Sequence, residues 1–230
     1  MKLQQILLLA VTLGASTLAA HADTLTVGAT VNGGTSGNDA TPISYTLNGV
    51  AGVGEGGNLT GSTGTIGNQS VTFSQLWCVD ILDDLDLSTT YTASYANNGT
   101  IQNGTPVNDA GQIAWLIDNL AASATTQDQN LALQAAIWQV EYGSSFVLSS
   151  TTSADVLSDF NSDLSALGNN TASVSSFEWV SPTNPDGSNA QGLVGTLAPT
   201  PEPSSLMLLG TGLLGFAESM RRRVRSRRMQ

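Results

Sequence analysis

Between Asp23 and Thr200 the sequence contains no lysine, no arginine and no histidine. Of the seven Lys and Arg residues in the chain, Lys2 precedes that stretch and six arginines follow it; the one histidine, His21, precedes it too. Sixteen of the eighteen carboxylates lie inside, the other two being Glu202 and Glu218, so residues 23–200 carry a formal charge of −16. Each absence excludes something. Without cationic side chains no ion pair between side chains can form here, and packing and hydrogen bonds must hold the fold. A strongly negative surface repels phosphate polymers, which excludes nucleic acid as a partner. Lack of His and Lys removes the usual bases of catalytic triads and the His ligands of zinc sites, so neither a turnover enzyme nor a cofactor is expected. The single cysteine, Cys78, cannot close an intramolecular disulfide, which is unusual for a chain that carries export signals.

Those signals stand at the two ends. Lys2 supplies a small positive region, Leu3 to Leu18 an apolar stretch, and Ala20-His21-Ala22 a small-x-small cleavage site. Residues 1–22 therefore read as a signal peptide for signal peptidase, with a mature chain starting at Asp23. At the other end, Pro201-Glu202-Pro203 precedes an apolar run from Ser204 to Ala217 and a basic tail that includes Arg221, Arg222 and Arg223. The prolines hold the backbone extended for a processing enzyme to grip. The apolar run favours a bilayer, and the arginines hold the C-terminus on the cytoplasmic side. The run is short for a span of ~20 residues, which suits a transient anchor better than a permanent one. In this order the three parts of residues 201–230 resemble the PEP-CTERM sorting signal of exported bacterial proteins. The resemblance implies recognition by an exosortase, transient inner-membrane anchoring, cleavage near the motif and delivery to the cell surface or extracellular matrix.

Between the ends the hydrophobic period changes twice. Thr24, Thr26 and Val27, and then Ile43, Tyr45 and Leu47, alternate as strand residues do, separated by loops such as Gly54-Glu55-Gly56-Gly57-Asn58. A further strand is expected over Val71 to Ile81, with Tyr91 to Tyr95 as a pairing candidate. From Asp109 to Ala124 the apolar residues Ile113, Leu116, Ile117 and Leu120 recur at helical spacing, with Asp109 and Gln112 as a capping box. A second helix is predicted from Gln127 to Tyr142, capped by Thr126 and Gln129, and a third from Ala154 to Leu167, stopped by Gly168. Val174 to Val180 returns to strand alternation. Five of the seven prolines fall between Ser181 and Pro203, so residues 181–200 read as an extended linker to the tail. The expected class is α+β: antiparallel sheets or a sandwich with a three-helix insert over residues 23–180, flanked by an N-terminal signal helix and a C-terminal transmembrane sorting helix. Trp115, Trp138, Ile113, Ile117, Leu120, Ile137 and Phe160 are the expected core.

Two motifs carry chemistry. Trp77-Cys78-Val79-Asp80 places the thiol in an apolar strand pattern. On the second predicted helix, Leu131, Gln134, Ala135 and Trp138 stand at i, i+3, i+4 and i+7, which turns Gln134 into an apolar face. A buried amide must find partners or lose roughly 1–3 kcal/mol. It can hydrogen-bond, or its carbon can be attacked by a thiol with loss of ammonia, leaving a thioester. These residues resemble the thioester domains of bacterial surface adhesins, which carry an aromatic-Cys-aliphatic-acid motif followed by Thr-Gln-x-x-aliphatic-Trp on a helix. Gln134-Ala135-Ala136-Ile137-Trp138 is similar to the second motif, with Leu133 where the family has Thr, and Gln112-Ile113-Ala114-Trp115 is similar to the helix lining the site. The resemblance implies a thioester between Cys78 and Gln134, lined by Trp77, Asp80, Gln112 and Trp138, that captures amines covalently. Gln112 is the fallback partner for Cys78.

Other readings of the same residues stay open. Cys78 can be a small packed hydrophobe. Asp80, Asp83, Asp84 and Asp86 lie close enough in sequence to ligate Ca²⁺, though without EF-hand spacing. The domain is then either a covalent adhesin, with an amine-bearing surface ligand, or an acidic structural protein of the envelope or biofilm matrix associated with exopolysaccharide or calcium.

Overall fold

The structure is a computed structural model and describes residues 22–28, 30–31, 34–35 and 43–199. The signal-peptide reading, Ala22 apart, lies outside the described residues. So do Pro201, Glu202, Pro203, the apolar run and the arginines Arg221 to Arg223. Among the described residues no helix is long and apolar enough to cross a membrane.

In chain order the strands are β1 (Thr24–Thr26), β2 (Thr30–Val31), β3 (Gly34–Thr35), β4 (Ile43–Leu47), β5 (Val50–Gly54), β6 (Leu59–Thr60), β7 (Thr63–Ile66) and β8 (Gln69–Cys78). They continue with β9 (Thr90–Ala96), β10 (Thr100–Ile101), β11 (Thr105–Pro106), β12 (Phe146–Leu148), β13 (Glu178–Thr183) and β14 (Leu193–Leu197). Three helices fall between β11 and β13: α1 (Ala110–Leu120), α2 (Gln127–Tyr142) and α3 (Ala154–Leu167). The class is α+β with antiparallel sheets.

Period-two alternation builds the main sheet. Leu25 turns inward from β1, and Tyr91 and Ala93 from β9, while the threonines between them face out. Six strands close into an antiparallel barrel in the order β1-β7-β8-β14-β13-β9, and β9 returns to β1 through Leu25↔Tyr91. Closure removes the open sheet edge that a chain without lysine gatekeepers would otherwise expose. Smaller sheets, β12-β4-β5, β3-β2-β6 and the β10-β11 hairpin, surround it.

The helical insert packs against this barrel. α2 lies against α1 and α3 on its flanks and against β8 and β12. Its start is well specified: Thr126 Oγ1 accepts the Gln129 N–H at 3.2 Å and Gln129 Oε1 accepts the Thr126 N–H at 3.1 Å, the expected capping box. α3 begins where Ser153 accepts the Val156 N–H at 3.2 Å and ends at Gly168, as the sequence predicts. Trp77, Trp138 and Trp179 are all at most 1% exposed. Their burial is the largest single apolar contribution the core has, on the order of 2–3 kcal/mol each.

Several expectations need correction. β9 does not pair with β8; it lies between β1 and β13. The strand expected from Val71 to Ile81 runs from Gln69 to Cys78. Val174 to Ser176 form a short 3₁₀ turn, and the strand begins only at Glu178. The stretch 181–200, read as a linker, holds the end of β13 and all of β14, whose Leu193 and Val194 are fully buried. The prolines misled here. Pro182 sits on β13 beyond the last β13–β14 pair, Val180↔Leu193, where no ladder bond to β14 requires its missing N–H. Asp109 adopts a left-handed conformation (φ 44°) and makes no side-chain cap, so its capping box with Gln112 does not form. Trp115 and Leu120 are half-buried against the core, whereas Ile113, Ile117, Ile137, Trp138 and Phe160 are buried in it.

Candidate functional site

Among the described residues, the second half of β8 is laddered to a strand on one side only. β7 covers β8 from Gln69 to Thr72, and Phe73 N–H still reaches Ser62 O at 3.0 Å, but beyond that β7 has ended. On the opposite side β14 continues to Cys78. Ser74 is an extra residue in that ladder, since Phe73 faces Leu197 and Gln75 faces Thr196. Such a β-bulge reverses which backbone groups face which neighbour. After it, Val79 N–H bonds Gly192 O at 2.8 Å on the β14 side, so by alternation the N–H groups of Leu76 and Cys78 point to the side without a strand.

Buried backbone donors must be satisfied, and two side-chain amides take the place of the missing strand. Asn58 Oδ1 accepts the Leu76 N–H at 3.0 Å. Gln134 does more. Its Oε1 accepts the Cys78 N–H at 3.2 Å and its Nε2 donates to the Cys78 carbonyl at 2.6 Å, so one carboxamide pairs with both backbone groups of the cysteine. A second donor, the Gly57 N–H, reaches the same Oε1 at 3.4 Å. The structure thus brings Cys78 and Gln134 together, at 3% and 0% exposure.

The loop over Gln134 requires glycine. A Cβ on Gly56 would lie 2.4 Å from Gln134 Cγ, well inside van der Waals contact. Gly57 has φ 118°, a conformation that L side chains rarely adopt. Trp138, one turn beyond Gln134, is fixed by Tyr45 and Phe146, with ring centroids 6.1 and 6.2 Å away. The indole N–H groups of Trp77 and Trp138 are both buried without a hydrogen-bond partner among the described residues. Leu133, at the position of the family's Thr, is buried and 1% exposed.

Asp80 ends the strand. Its carboxylate accepts the Tyr142 hydroxyl at 2.9 Å, the Leu82 N–H at 2.8 Å and Gln102 Nε2 at 2.6 Å, and its backbone carbonyl accepts Gln191 Nε2. One buried acid thereby ties the end of β8 to α2, to the residue following β10 and to the β13–β14 connection. Gln102 Nε2 also reaches Asp83 Oδ2 at 2.8 Å, so one amide bridges these two acids. Among the described residues no three His, Cys, Asp or Glu side chains are grouped to hold a metal ion. Asp83, Asp84 and Asp86 line an open surface depression with Tyr91, Asn184 and Ser188.

Charge is disfavoured throughout this neighbourhood. Burial, with the Asp80 carboxylate adding to it, pushes the Cys78 thiol up to about 12, so the sulfur is neutral at physiological pH. Burial likewise raises the Tyr142 hydroxyl. Glu141 is pushed up to about 7, by burial first and then by the nearby Asp80 and Asp109, against a lowering bond from the Asn108 backbone, and among the described residues its buried Oε2 has no partner.

The sequence-predicted residues divide plainly. Cys78 and Gln134 are joined by hydrogen bonds, Asp80 follows two residues beyond β8, Trp77 precedes Cys78 on β8, and Trp138 lies one turn beyond Gln134 on α2. Gln112 does not join them: at the start of α1 it is turned toward the end of α3, and its Nε2 bonds Gly168 O at 3.3 Å. Asn58, Gly57, Gln102, Tyr142 and Glu141 were not anticipated. Glu141 and Tyr142 left a signal, since they follow Gln134 on one helix face at i+7 and i+8.

Residues 199–223 match the PEP-CTERM protein-sorting motif. A solved structure, the N-terminal thioester domain of a protein F2 like fibronectin-binding protein from Streptococcus pneumoniae, is similar with a TM-score of 0.39 and 16% identity, covering 75% of this chain and 100% of that one. No curated protein matches the sequence. The motif at 199–223 makes this chain an exported protein, transiently anchored in the membrane and processed by an exosortase.

Proposed function

We propose that residues 23–199 form a surface adhesin-like domain whose Cys78 and Gln134 join in an internal thioester that captures amines. The observation carrying this reading is the seat of the Gln134 amide on Cys78, with the N–H groups of Cys78 and Gly57 both directed at Oε1. When Cys78 Sγ adds to Gln134 Cδ, negative charge develops on that oxygen, where two fixed donors can stabilise it. At 3.4 Å the Gly57 bond is long, and donors of this kind tighten as charge appears. The S–C bond forms, the C–N bond breaks, and the thiol proton leaves with the amide nitrogen as ammonia. The neutral thiol, the amide and the thioester are all uncharged, so neither side of the reaction buries a charge. Burial keeps water from hydrolysing the thioester. An amine then attacks Cδ, forms an amide to Gln134 and releases the Cys78 thiol, which takes up the proton the amine gives up.

In this reading the domain is not a turnover enzyme, since each site reacts once. The partner is an amine-bearing surface ligand, displayed protein or exopolysaccharide, met at the cell surface after the chain has been cut at both ends. The absence of lysine between residues 23 and 200 supports it, because the chain offers the thioester no side-chain amine of its own.

Intact mass tests the reading. Purified protein is expected to weigh one ammonia less than its sequence mass, and Cys78→Ala and Gln134→Ala each to restore the full value. Methylamine is expected to add its own mass to the thioester form and to expose one alkylatable thiol. Full mass in fresh wild-type protein, with Cys78 alkylated at once after unfolding, would leave Gln134 as a hydrogen-bonding clamp in a non-covalent acidic envelope protein. Processing is tested separately by terminal peptides of surface material, expected to start at Asp23 and to lack Met229.

A further inference from the structure

We infer that Asn58 is a positioning residue for this reaction, holding the Gly57 N–H on the reacting carbonyl. The inference rests on the thioester reading and goes beyond it to the loop that supplies the second donor.

The argument starts from the unpaired edge of β8. Leu76 and Cys78 present their N–H groups on the same side, two residues apart. Asn58 takes the first and Gln134 the second. Asn58 is 6% exposed, and its backbone carbonyl also accepts the Thr60 N–H at 3.0 Å as the chain enters β6. Its side chain is thus the point at which the Gly54–Asn58 loop is fastened to the strand bearing the thiol. Gly57 is the residue immediately before, so the direction of its N–H depends on where Asn58 is held. Gly56 and Gly57 cannot fix that direction themselves: neither has a side chain, and glycine has the widest backbone freedom of any residue. Asn58, the next residue, supplies a side-chain fastening to the strand that the two glycines lack.

The consequence is specific. Loss of the Asn58 carboxamide leaves the Leu76 N–H without its acceptor and frees the loop. The Gly57 N–H then no longer faces Oε1, while the Cys78 N–H, on the strand itself, stays. Attack at Cδ, by sulfur in forming the thioester or by an amine in opening it, proceeds with one donor in place of two. Removing a well-placed oxyanion donor slows such reactions by roughly 10²–10³-fold. Because this bond is long in the resting state, a loss of about tenfold or more is expected.

The test measures the rate of methylamine uptake by intact mass, normalised to the fraction of each protein that carries the ammonia deficit, with thermal midpoints recorded alongside. Asn58→Ala is expected to react at least ~10-fold more slowly than wild type. Asn58→Gln keeps the amide but displaces the loop by about one bond length, ~1.5 Å, and is expected to be slow although folded; it carries the test should Asn58→Ala not fold. Wild-type rates in Asn58→Ala or Asn58→Gln overturn the inference while leaving the thioester in place. A wild-type protein with full mass that takes up no methylamine removes the reaction itself, and the inference with it.

Discussion

Along one edge of β8, main chain covers the first half and side chains cover the second. From Gln69 to Thr72 the neighbour is β7, in register and mostly near the surface. From Leu76 to Cys78 the neighbours are the carboxamides of Asn58 and Gln134, in the core. A backbone partner is indifferent to most substitutions, because every residue carries the same N–H and C=O. A side-chain partner is lost with a single codon. The second half of β8 is therefore where one substitution does most damage, and also where a chain can place reactive groups against its own backbone. The bulge at Ser74 is the local device that divides the two regimes.

Gln134→Ala should break this contrast most severely. Relative to the unreacted amide form, it removes the partner of the Cys78 N–H, of the Cys78 carbonyl and of the Gly57 N–H, all buried, and leaves a cavity beside Trp138. Unpaired buried groups cost about 1–3 kcal/mol each when nothing relaxes, so a loss of roughly 3–5 kcal/mol is expected in denaturant unfolding. The control lies in the other half: Ser70→Ala, at an exposed site paired to β7 through main chain, should stay within about 0.5 kcal/mol. Comparable losses at both sites would show that the side-chain cover is not special.

Gly56→Ala probes the same region by overfilling it. Its Cβ would fall 2.4 Å from Gln134 Cγ, so either the loop or the glutamine must move, at a cost of about 1–3 kcal/mol. Gly111→Ala in α1 should have the opposite sign. There the nearest atom to a new Cβ is 3.4 Å away, an ordinary contact, and the gain in helix propensity is about 0.4–1 kcal/mol. Equal signs for the two glycines would contradict the tight seat of Gln134.

What was legible in the sequence follows the same division between local and non-local causes. α2 and α3 have the boundaries their sequences predict, because Thr126, Gln129, Ser153 and Gly168 carry local start and stop signals. The helix period showed that Gln134 faces an apolar interior and needs a partner, whereas its pairing with Cys78 came from the resemblance to thioester domains. β14 and the bulge at Ser74 were not, since strand pairing across more than a hundred residues leaves no periodic trace in five residues flanked by glycine and proline. Asn58 and Gly57 were read only as loop. Nothing local distinguishes a loop that caps a strand from one that is solvated. Gln112 was misassigned for a related reason: the turn of α1 depends on the left-handed Asp109, whose capping box looked normal in sequence.

The smallest expected effect sharpens the contrast between two acids next to the site. Asp80 has three donors on its carboxylate, whereas Glu141 has a bond from the Asn108 backbone and, among the described residues, no partner for its buried Oε2. Burial and the charge of Asp80 raise Glu141 from an ordinary 4.5 to about 7 in the fold. Between those values the folded chain binds a proton that the unfolded chain has released. The contribution of Glu141 to stability is therefore full below about pH 4.5 and is lost as pH rises through 7. Asp163, raised to about 6 by burial and by Asp159, acts in the same direction from α3, so wild-type stability should fall across this window from both sites. Glu141→Gln removes one of them. After allowance for solvent screening of a partly exposed group, the Glu141 share is on the order of 1 kcal/mol. Urea unfolding at pH 5 and pH 7.5 should show a smaller difference in Glu141→Gln than in wild type, with the variant the more stable of the two at the higher pH. An unchanged difference would mean that Glu141 finds a further partner or solvent in the folded chain, and that the two acids beside Cys78 are alike after all.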